Sequence, residues 1–420
     1  MHDDAHDDRG NAPVNRALLP MLAALYFLGF SNLFLRSSFG VMAPELESEM
    51  GMSPAVLSTV ASAFFIAYAL MQIPTGMLLD RYGPRRVLSA MMLFTALGTA
   101  LFAAGETAQT LTLGRILMGI GCSGAFTGAF YVLAMWMTPE RVVTQTGALN
   151  SFAAVGNLCA TAPFAALIAL IGWRESYWLF TAGIVLLMIA LALFVRDTPP
   201  DHPRRQAKNE SLAGVLAGVR EAVRQPGMGR MLFAGLPMSA AGTLSGAWGA
   251  PYLKHAHGLD DIARGSVLLL MALGGIGGHF FYGRIARRIN SLKLPVLVGG
   301  GVVLVMVSAF ALVPRPPLAL VTAMFVAISI CGAYPTILHA HARGLVPARL
   351  MGRGVAASNM GIMTAIAAAQ FMFGWILSAF PAVAGVPPEM AYRTAFGVQA
   401  AVALAGLVIF VRVPDVRPRG

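Results

Sequence analysis

Arg36 lies inside a long apolar run, eight residues before Pro44, which puts it roughly 12 Å along a helix from the end of that run. A charge at that depth costs several kcal/mol unless water or a partner receives it, so an intramembrane arginine marks a functional site by default. Gly29, Asn32, Arg36 and Gly40 fall on one stripe of a helix. The structural alternative is an arginine that snorkels to the surface or ties to backbone carbonyls. Arg115, a few residues into another apolar run, reads equally as a structural or gating group and as one that meets substrate or a coupling ion. No Asp or Glu sits deep in an apolar run: Glu45, Glu47, Glu49, Glu106 and Glu175 fall at one rim, Asp80 and Glu140 at the other. That leaves His279 and His339 as titratable groups, with His339 a candidate proton relay and interface packing its alternative. His339 and His341, two residues apart, do not share a helix face and make a poor metal pair.

Other chemistry is excluded by context. Gly119-Ile-Gly-Cys-Ser-Gly124 fits a dinucleotide fingerprint by letter, but no strand precedes it. Small residues at a helix–helix interface explain it, and likewise Gly274, Gly275, Gly277 and Gly278. Cys122, Cys159 and Cys331 are far apart in apolar stretches and read as packing residues. No nucleophile–base or metal constellation is present, so neither an enzyme, a metal nor a cofactor is expected. The polar and aromatic positions in apolar runs are of two kinds. Asn32, Thr243, Trp248, Tyr334 and Asn359 join Arg36 as candidate substrate contacts. Tyr68, Gln72, Asn150, Asn157, Tyr252, Gln370 and Trp375 complete the set. For each, helix–helix hydrogen bonding is the competing reading.

The elements that position these residues must be membrane-spanning. Hydrophobic residues make up 57% and charged residues 12% of the chain, far from the soluble average. Apolar runs of about 20 residues, the length that crosses a bilayer, recur along it. Twelve spans are expected, at 17–43, 55–79, 87–104, 111–135, 143–171, 176–195, 231–253, 266–283, 294–312, 317–343, 352–380 and 392–411. With both termini inside, twenty-three Lys and Arg fall in inner segments and five in outer ones, as the positive-inside rule requires. The net charge of +11 therefore reflects orientation and not nucleic-acid binding. Residues 1–16, where His2 and His6 stand among aspartates, read as a disordered cytoplasmic tail and not as a signal peptide. The remaining organisation is a six-helix bundle over 17–195, a linker over 196–229, a second bundle over 230–412 and a tail over 413–420. In the linker Leu212, Val215, Leu216, Val219 and Val223 form one apolar face, the pattern of a surface helix. The halves look like repeats: Pro44 matches Pro251, Trp173-Arg174 matches Tyr392-Arg393, and Thr243 is the mate of Arg36.

Between the second and third spans the chain reads Gly76-x-x-x-Asp80-Arg81-x-Gly83-x-Arg85-Arg86. This resembles the signature loop of the major facilitator superfamily. Gly76 would admit a close helix approach, Gly83 a tight turn, and Asp80 would accept from a neighbouring helix N-terminus. Arg115-x-x-x-Gly119-x-Gly121-x-x-Gly124 resembles the family's fourth-helix pattern, and Glu140-Arg141 another of its cytoplasmic elements. The drug-antiporter motif of the fifth helix is not matched: the chain has Gly156-Asn157 and then Pro163.

The resemblance implies an all-α membrane protein, with 12 transmembrane helices in two six-helix pseudo-repeat bundles that rock about a central site. It implies that Arg36 binds an anionic substrate group, and that Gly76, Asp80, Arg81, Gly83, Arg85, Glu140 and Arg141 form a conformational switch. The expected function is uptake of a small organic anion across the bacterial inner membrane, by a monomer whose partners are substrate and lipid, with proton symport as an option. Efflux of an amphipathic compound is the alternative. A transporter-like sensor is a further one. A nitrate porter is weaker, because spans 2 and 8 lack the mid-span arginine pair of that family.

Overall fold

A computed structural model describes residues 18–197, 212–382 and 386–417, and every side chain among them except those of Pro139, Glu140, Val143 and Leu212. The tail 1–16, residues 198–211 of the expected linker and the last residues of the expected tail 413–420 lie outside these segments.

The described chain is helical, with no β-sheet. The first half contains α1 (Leu19–Met50), α2 (Pro54–Tyr82), α3 (Pro84–Ala103), α4 (Ala108–Cys122), α5 (Ala125–Trp136), α6 (Pro139–Cys159), α7 (Ala162–Ile171) and α8 (Trp173–Phe194). The short α9 (Leu212–Arg224) and α10 (Met228–Met231) follow. The second half continues with α11 (Gly235–Thr243), α12 (Gly249–His257), α13 (Asp261–Arg288), α14 (Lys293–Leu312), α15 (Leu318–Cys331), α16 (Pro335–Leu345), α17 (Met351–Ser378) and α18 (Glu389–Phe410).

Ten stretches among the described residues are long and apolar enough to cross a membrane, and α6 with α7, bent by 44°, makes an eleventh. The twelfth is Met228–His257, cut into short pieces by a 3-10 turn at Leu232–Ala234 and a π turn at Leu244–Trp248. These twelve spans form the two six-helix bundles expected.

Local chemistry sets many boundaries. Ser53, Thr107 and Asp260 accept from the backbone N–H three residues on, capping α2, α4 and α13. Pro54 and Pro84 sit in first turns, where a missing N–H costs nothing. Two expected ends are wrong. α1 continues past Pro44 to Met50, and the seventh span runs past its expected end at Leu253 to His257. Pro44 and Pro251 each remove one backbone bond, and the turns beyond them are held by side-chain ion pairs described below. α9 buries Val219 and Ala222 while Leu216 is 48% exposed. It is tied to the chain before α17 by Glu221 accepting from Arg349 at 2.5 Å.

The halves repeat in detail. Arg174 donates to the last carbonyls of the third span, Ala103 O (3.2 Å) and Gly105 O (2.6 Å). Arg393 does the same for the ninth span at Ala311 O (2.9 Å) and Leu312 O (3.1 Å). Orphan carbonyls at a helix end require such donors.

Candidate functional site

Arg36 is half-buried on α1. Its guanidinium carbon lies 5.5 Å from the centroid of the Phe65 ring of α2. Among the described residues it makes no hydrogen bond and no ion pair, so its donors are free for an incoming anion. The surroundings are polar but uncharged. Asn32, one turn earlier, donates to Cys122 O at 2.7 Å. Gln72 donates to Ser123 O at 3.4 Å, and Thr75 and Ser123 share a hydroxyl contact at 3.2 Å. These side chains satisfy carbonyls released where the fourth span breaks between α4 and α5. Tyr68 faces Asn32 and Gln72, yet Asn32 Oδ1 accepts no hydrogen bond of good geometry.

Arg115 is fully buried. It donates to Leu35 O (3.0 Å) and Ala61 O (3.5 Å) and lies over the rings of Phe39 and Phe64. Carbonyl dipoles and ring faces receive its charge. Arg115 thus clamps the turn of α1 that presents Arg36.

The second bundle meets this wall at the π turn. A Cβ on Gly40 would lie 2.6 Å from Ser245 O and 3.0 Å from the Gly246 carbonyl carbon. One on Gly246 would lie 3.8 Å from Phe65 and 2.4 Å from Gln370 Nε2. α1 and the seventh span therefore close on each other one turn beyond Arg36. The other expected substrate contacts are spread out. Thr243 is buried and accepts from Gln399 at 3.3 Å. Trp248 donates to Gln370 O at 3.2 Å and stacks on Phe373. Tyr334 is buried and donates to Ala234 O at 3.3 Å. Asn359 on α17 is half-buried and makes no hydrogen bond among the described residues. The structure leaves Arg36 and Asn359 unsatisfied, and commits Thr243, Trp248 and Tyr334 to internal bonds. His339 is half-buried, near Arg343, with Nε2 unpartnered.

α2 packs along α17, and several further contacts between the bundles lie at the end where α1 stops and α2 starts. Glu45 faces Arg264 at 3.5 Å, and Glu47 faces His255 at 3.1 Å. Lys254 donates to Pro44 O at 3.3 Å, and Ala55 N to Ser378 Oγ at 2.8 Å. A Cβ on Gly374 would lie 2.4 Å from Pro54 O, and one on Gly265 2.9 Å from Ala162 Cα. None of these pairs is expected from the sequence, which puts the glutamates at one rim without partners.

The expected switch residues lie at the opposite end, around the α2–α3 turn and at the start of α6. A Cβ on Gly76 would meet nothing within 4 Å. The expected close approach there is absent among the described residues, and the same holds at Gly277. The other glycines of the two clusters do pack: a Cβ on Gly119 would lie 2.3 Å from Phe64 O, and one on Gly278 2.5 Å from Ile330 O. Gly83 has φ +80°, where only glycine is unstrained, and its missing Cβ leaves room for Asp197. Asp197 accepts from Arg85 N at 2.9 Å, at the N-terminus of α3, and Arg85 Nε donates to Ala192 O at 2.6 Å. Arg81 lies over the Tyr82 ring. Asp80 and Arg141 each have a partner, and the side chain of Glu140 lies outside the description. The second half repeats the device. Asp415 accepts from Lys293 N at 3.0 Å, and Lys293 Nζ donates to Val411 O at 2.6 Å. The shared Phe-Val-Arg at 194–196 and 410–412 is the signal that would have found both aspartates.

Comparison with known proteins agrees with this layout. A sequence profile described as Major Facilitator Superfamily matches residues 25–369. A Cupriavidus necator protein described as "Probable sulfoacetate transporter SauU" is 30% identical over 291 residues, covering 66% of this chain and 67% of its own. An Escherichia coli K12 protein described as "Probable L-galactonate transporter" is 27% identical over 303 residues, covering 69% of this chain but 64% of its own length. A solved bacterial homologue of the human lysosomal transporter Spinster, in an inward-facing and unoccupied conformation, superposes with TM-score 0.75 at 19% identity. It covers 96% of this chain and 98% of its own.

Proposed function

This chain belongs to the Major Facilitator Superfamily, multi-pass membrane transporters and not enzymes, and from that premise we propose that it carries a small organic anion, held by Arg36, by alternating access. The observation that carries the reading is the guanidinium of Arg36, unpaired and half-buried on the Phe65 ring, one turn from the seal between bundles. A buried arginine without an acid partner is costly, and a carboxylate or sulfonate supplies the bidentate partner it lacks. Sulfoacetate and L-galactonate, in the descriptions of two relatives, are both anions of this kind. Asn359, also unsatisfied, is the group we assign to the substrate from the second bundle.

On this reading both termini and the α2–α3 end face the cytoplasm, the membrane is the bacterial inner membrane, and the direction is uptake. The positive-inside count supports the orientation. The domain limits stay at 17–195 and 230–412, with the linker between. Proton symport is the coupling mode, with His339 as candidate relay. The Asp80–Arg81 loop with Glu140 and Arg141 rearranges as the cytoplasmic end opens and closes.

The test is uptake of labelled sulfoacetate and galactonate into proteoliposomes by the unaltered protein, Arg36→Ala and Arg36→Lys. Loss of a charge-assisted hydrogen bond of about 1.5–3 kcal/mol lowers uptake roughly 10- to 100-fold in Arg36→Ala. Arg36→Lys retains a part, since a lysine keeps the charge without the fork. Unchanged uptake in Arg36→Ala sinks the proposal.

A further inference from the structure

The geometry points to His255 as a proton-binding latch between the bundles, one whose protonation from the outer face holds that face shut. His255 stands near the end of the seventh span with only 6% of its side chain exposed. Its Nε2 lies 3.1 Å from Glu47 Oε2, on the extension of α1 in the other bundle. Its Nδ1 lies 2.8 Å from the Tyr392 hydroxyl, in its own bundle. The imidazole is thus fixed from behind by Tyr392 and offered across the gap to a carboxylate that is itself 14% exposed. Nε2 and Oε2 stand at ion-pair distance, and Glu47 Oε2 accepts no hydrogen bond of good geometry among the described residues. A protonated ring adds a charge attraction across that gap which a neutral ring lacks, and the gain exists only while the bundles touch.

The charged groups on the elements packed around it are engaged with other partners. Glu45 of α1 faces Arg264 of α13, which also bonds Asp261. Asp260 caps α13. Glu49 of α1 pairs with Arg174 of α8 at 3.1 Å and accepts from Trp173. Lys254 is bonded to Pro44 O, and Glu389 of α18 pairs with Arg315 at 3.2 Å. Histidine is the side chain suited to switching its charge near neutral pH. His257, the other histidine at this end, packs edge-on against Tyr252 and makes no ion pair among the described residues.

The sign follows from linkage. Protonation of His255 adds an attraction present in the closed state and absent in the open one, so acid outside favours closure and alkali favours opening. The inference rests on the orientation and bundle movement proposed above, and not on the anion.

Nitroxide labels at the exposed positions Ser48 and Ile262, one on each bundle, read the separation of the outer ends in the full chain in lipid. The labels are carried on non-native side chains, so that Cys122, Cys159 and Cys331 remain. In the unaltered protein the short-distance population should grow at least twofold from pH 8 to pH 5. His255→Gln and Glu47→Gln should each flatten that response, His255→Lys should stay closed throughout, and His257→Gln should behave as the unaltered protein. A flat response in the unaltered protein overturns the inference, and so does a full response in either His255→Gln or Glu47→Gln. Because no substrate is added, failure here leaves Arg36 untouched, and failure of anion uptake leaves this measurement interpretable.

Discussion

The two ends of the bundle pair are built differently. At the α1–α2 end backbone meets backbone: Gly40 against the π turn, Gly374 against Pro54 and Gly265 against Ala162, with ion pairs from Glu45 and Glu47 across the joint. At the opposite end, Gly76 of α2 and Gly283 of α13 have no neighbour among the described residues within 4 Å of a Cβ position. The aspartates there, Asp197 and Asp415, bond within their own halves. Backbone contacts and ion pairs join the bundles at the first end; at the second the aspartates stiffen each bundle separately, and α9 lies against both α2 and α17. Rocking needs this division, since a joint that breaks and reforms must have rigid bodies on either side. Arg36 stands one turn inside the joined end, so any movement that parts Gly40 from Ser245 passes beside the cation.

Substitutions at glycine break this comparison most sharply. Gly40→Ala places a methyl 2.6 Å from Ser245 O, and Gly374→Ala one 2.4 Å from Pro54 O. Overpacking of that kind costs about 1–3 kcal/mol, charged only to the state in which the bundles touch. Transport should fall roughly 10- to 100-fold, with each bundle still folded. Gly76→Ala and Gly283→Ala add a methyl to open space in a helix, which is worth up to about 1 kcal/mol of helix stability, and should leave uptake within about twofold. Proteoliposome uptake with circular dichroism and thermal unfolding separates the two outcomes. Equal losses at both ends would erase the distinction.

Much of this was legible in the chain. Twelve spans follow from apolar runs of bilayer length, and Arg36 stands out because it is a charge in such a run. The joint was not legible. Glu45 and Arg264 are 219 residues apart, and a single sequence carries no signal pairing them. Rim glutamates are ordinarily solvated, and Pro44 reads as a terminator, so the turns that carry Glu45, Glu47 and Glu49 were assigned to a loop. Phe65 is one of 24 phenylalanines, and only its place beneath Arg36 distinguishes it. The π turn adds one residue to a helical turn, which an approximate hydrophobic period does not resolve.

A smaller effect tests the stiffening role. Asp197→Asn and Asp415→Asn each remove a negative charge from a helix N-terminus, of α3 and α14, worth about 0.3–1 kcal/mol. Both should lower the unfolding temperature by similar amounts, and neither should alter the distance between Ser48 and Ile262. The aspartates serve the joint after all if that distance changes.

The smallest effect concerns an ion pair at this end that reaches from the linker helix to the second bundle, beside the packing of Gly218 of α9 against Arg353 of α17. Glu221 of α9 accepts from Arg349 at 2.5 Å, with side chains 42% and 66% exposed. The hydrogen bond from Arg349 holds the Glu221 carboxyl below its ordinary range. A carboxyl depressed in the folded state contributes when ionised, so the contact is complete at neutral pH and lost only as acid protonates it. Docking of α9 should therefore be insensitive to pH above about 5, in contrast to the response predicted at His255. Salt should weaken it, because exposed pairs are screened. Glu221→Gln should raise hydrogen exchange in α9 alone, slightly, and leave uptake unchanged. A loss of uptake would mean that α9 holds the two bundles at this end as well, and the asymmetry between the ends would then be one of strength and not of kind.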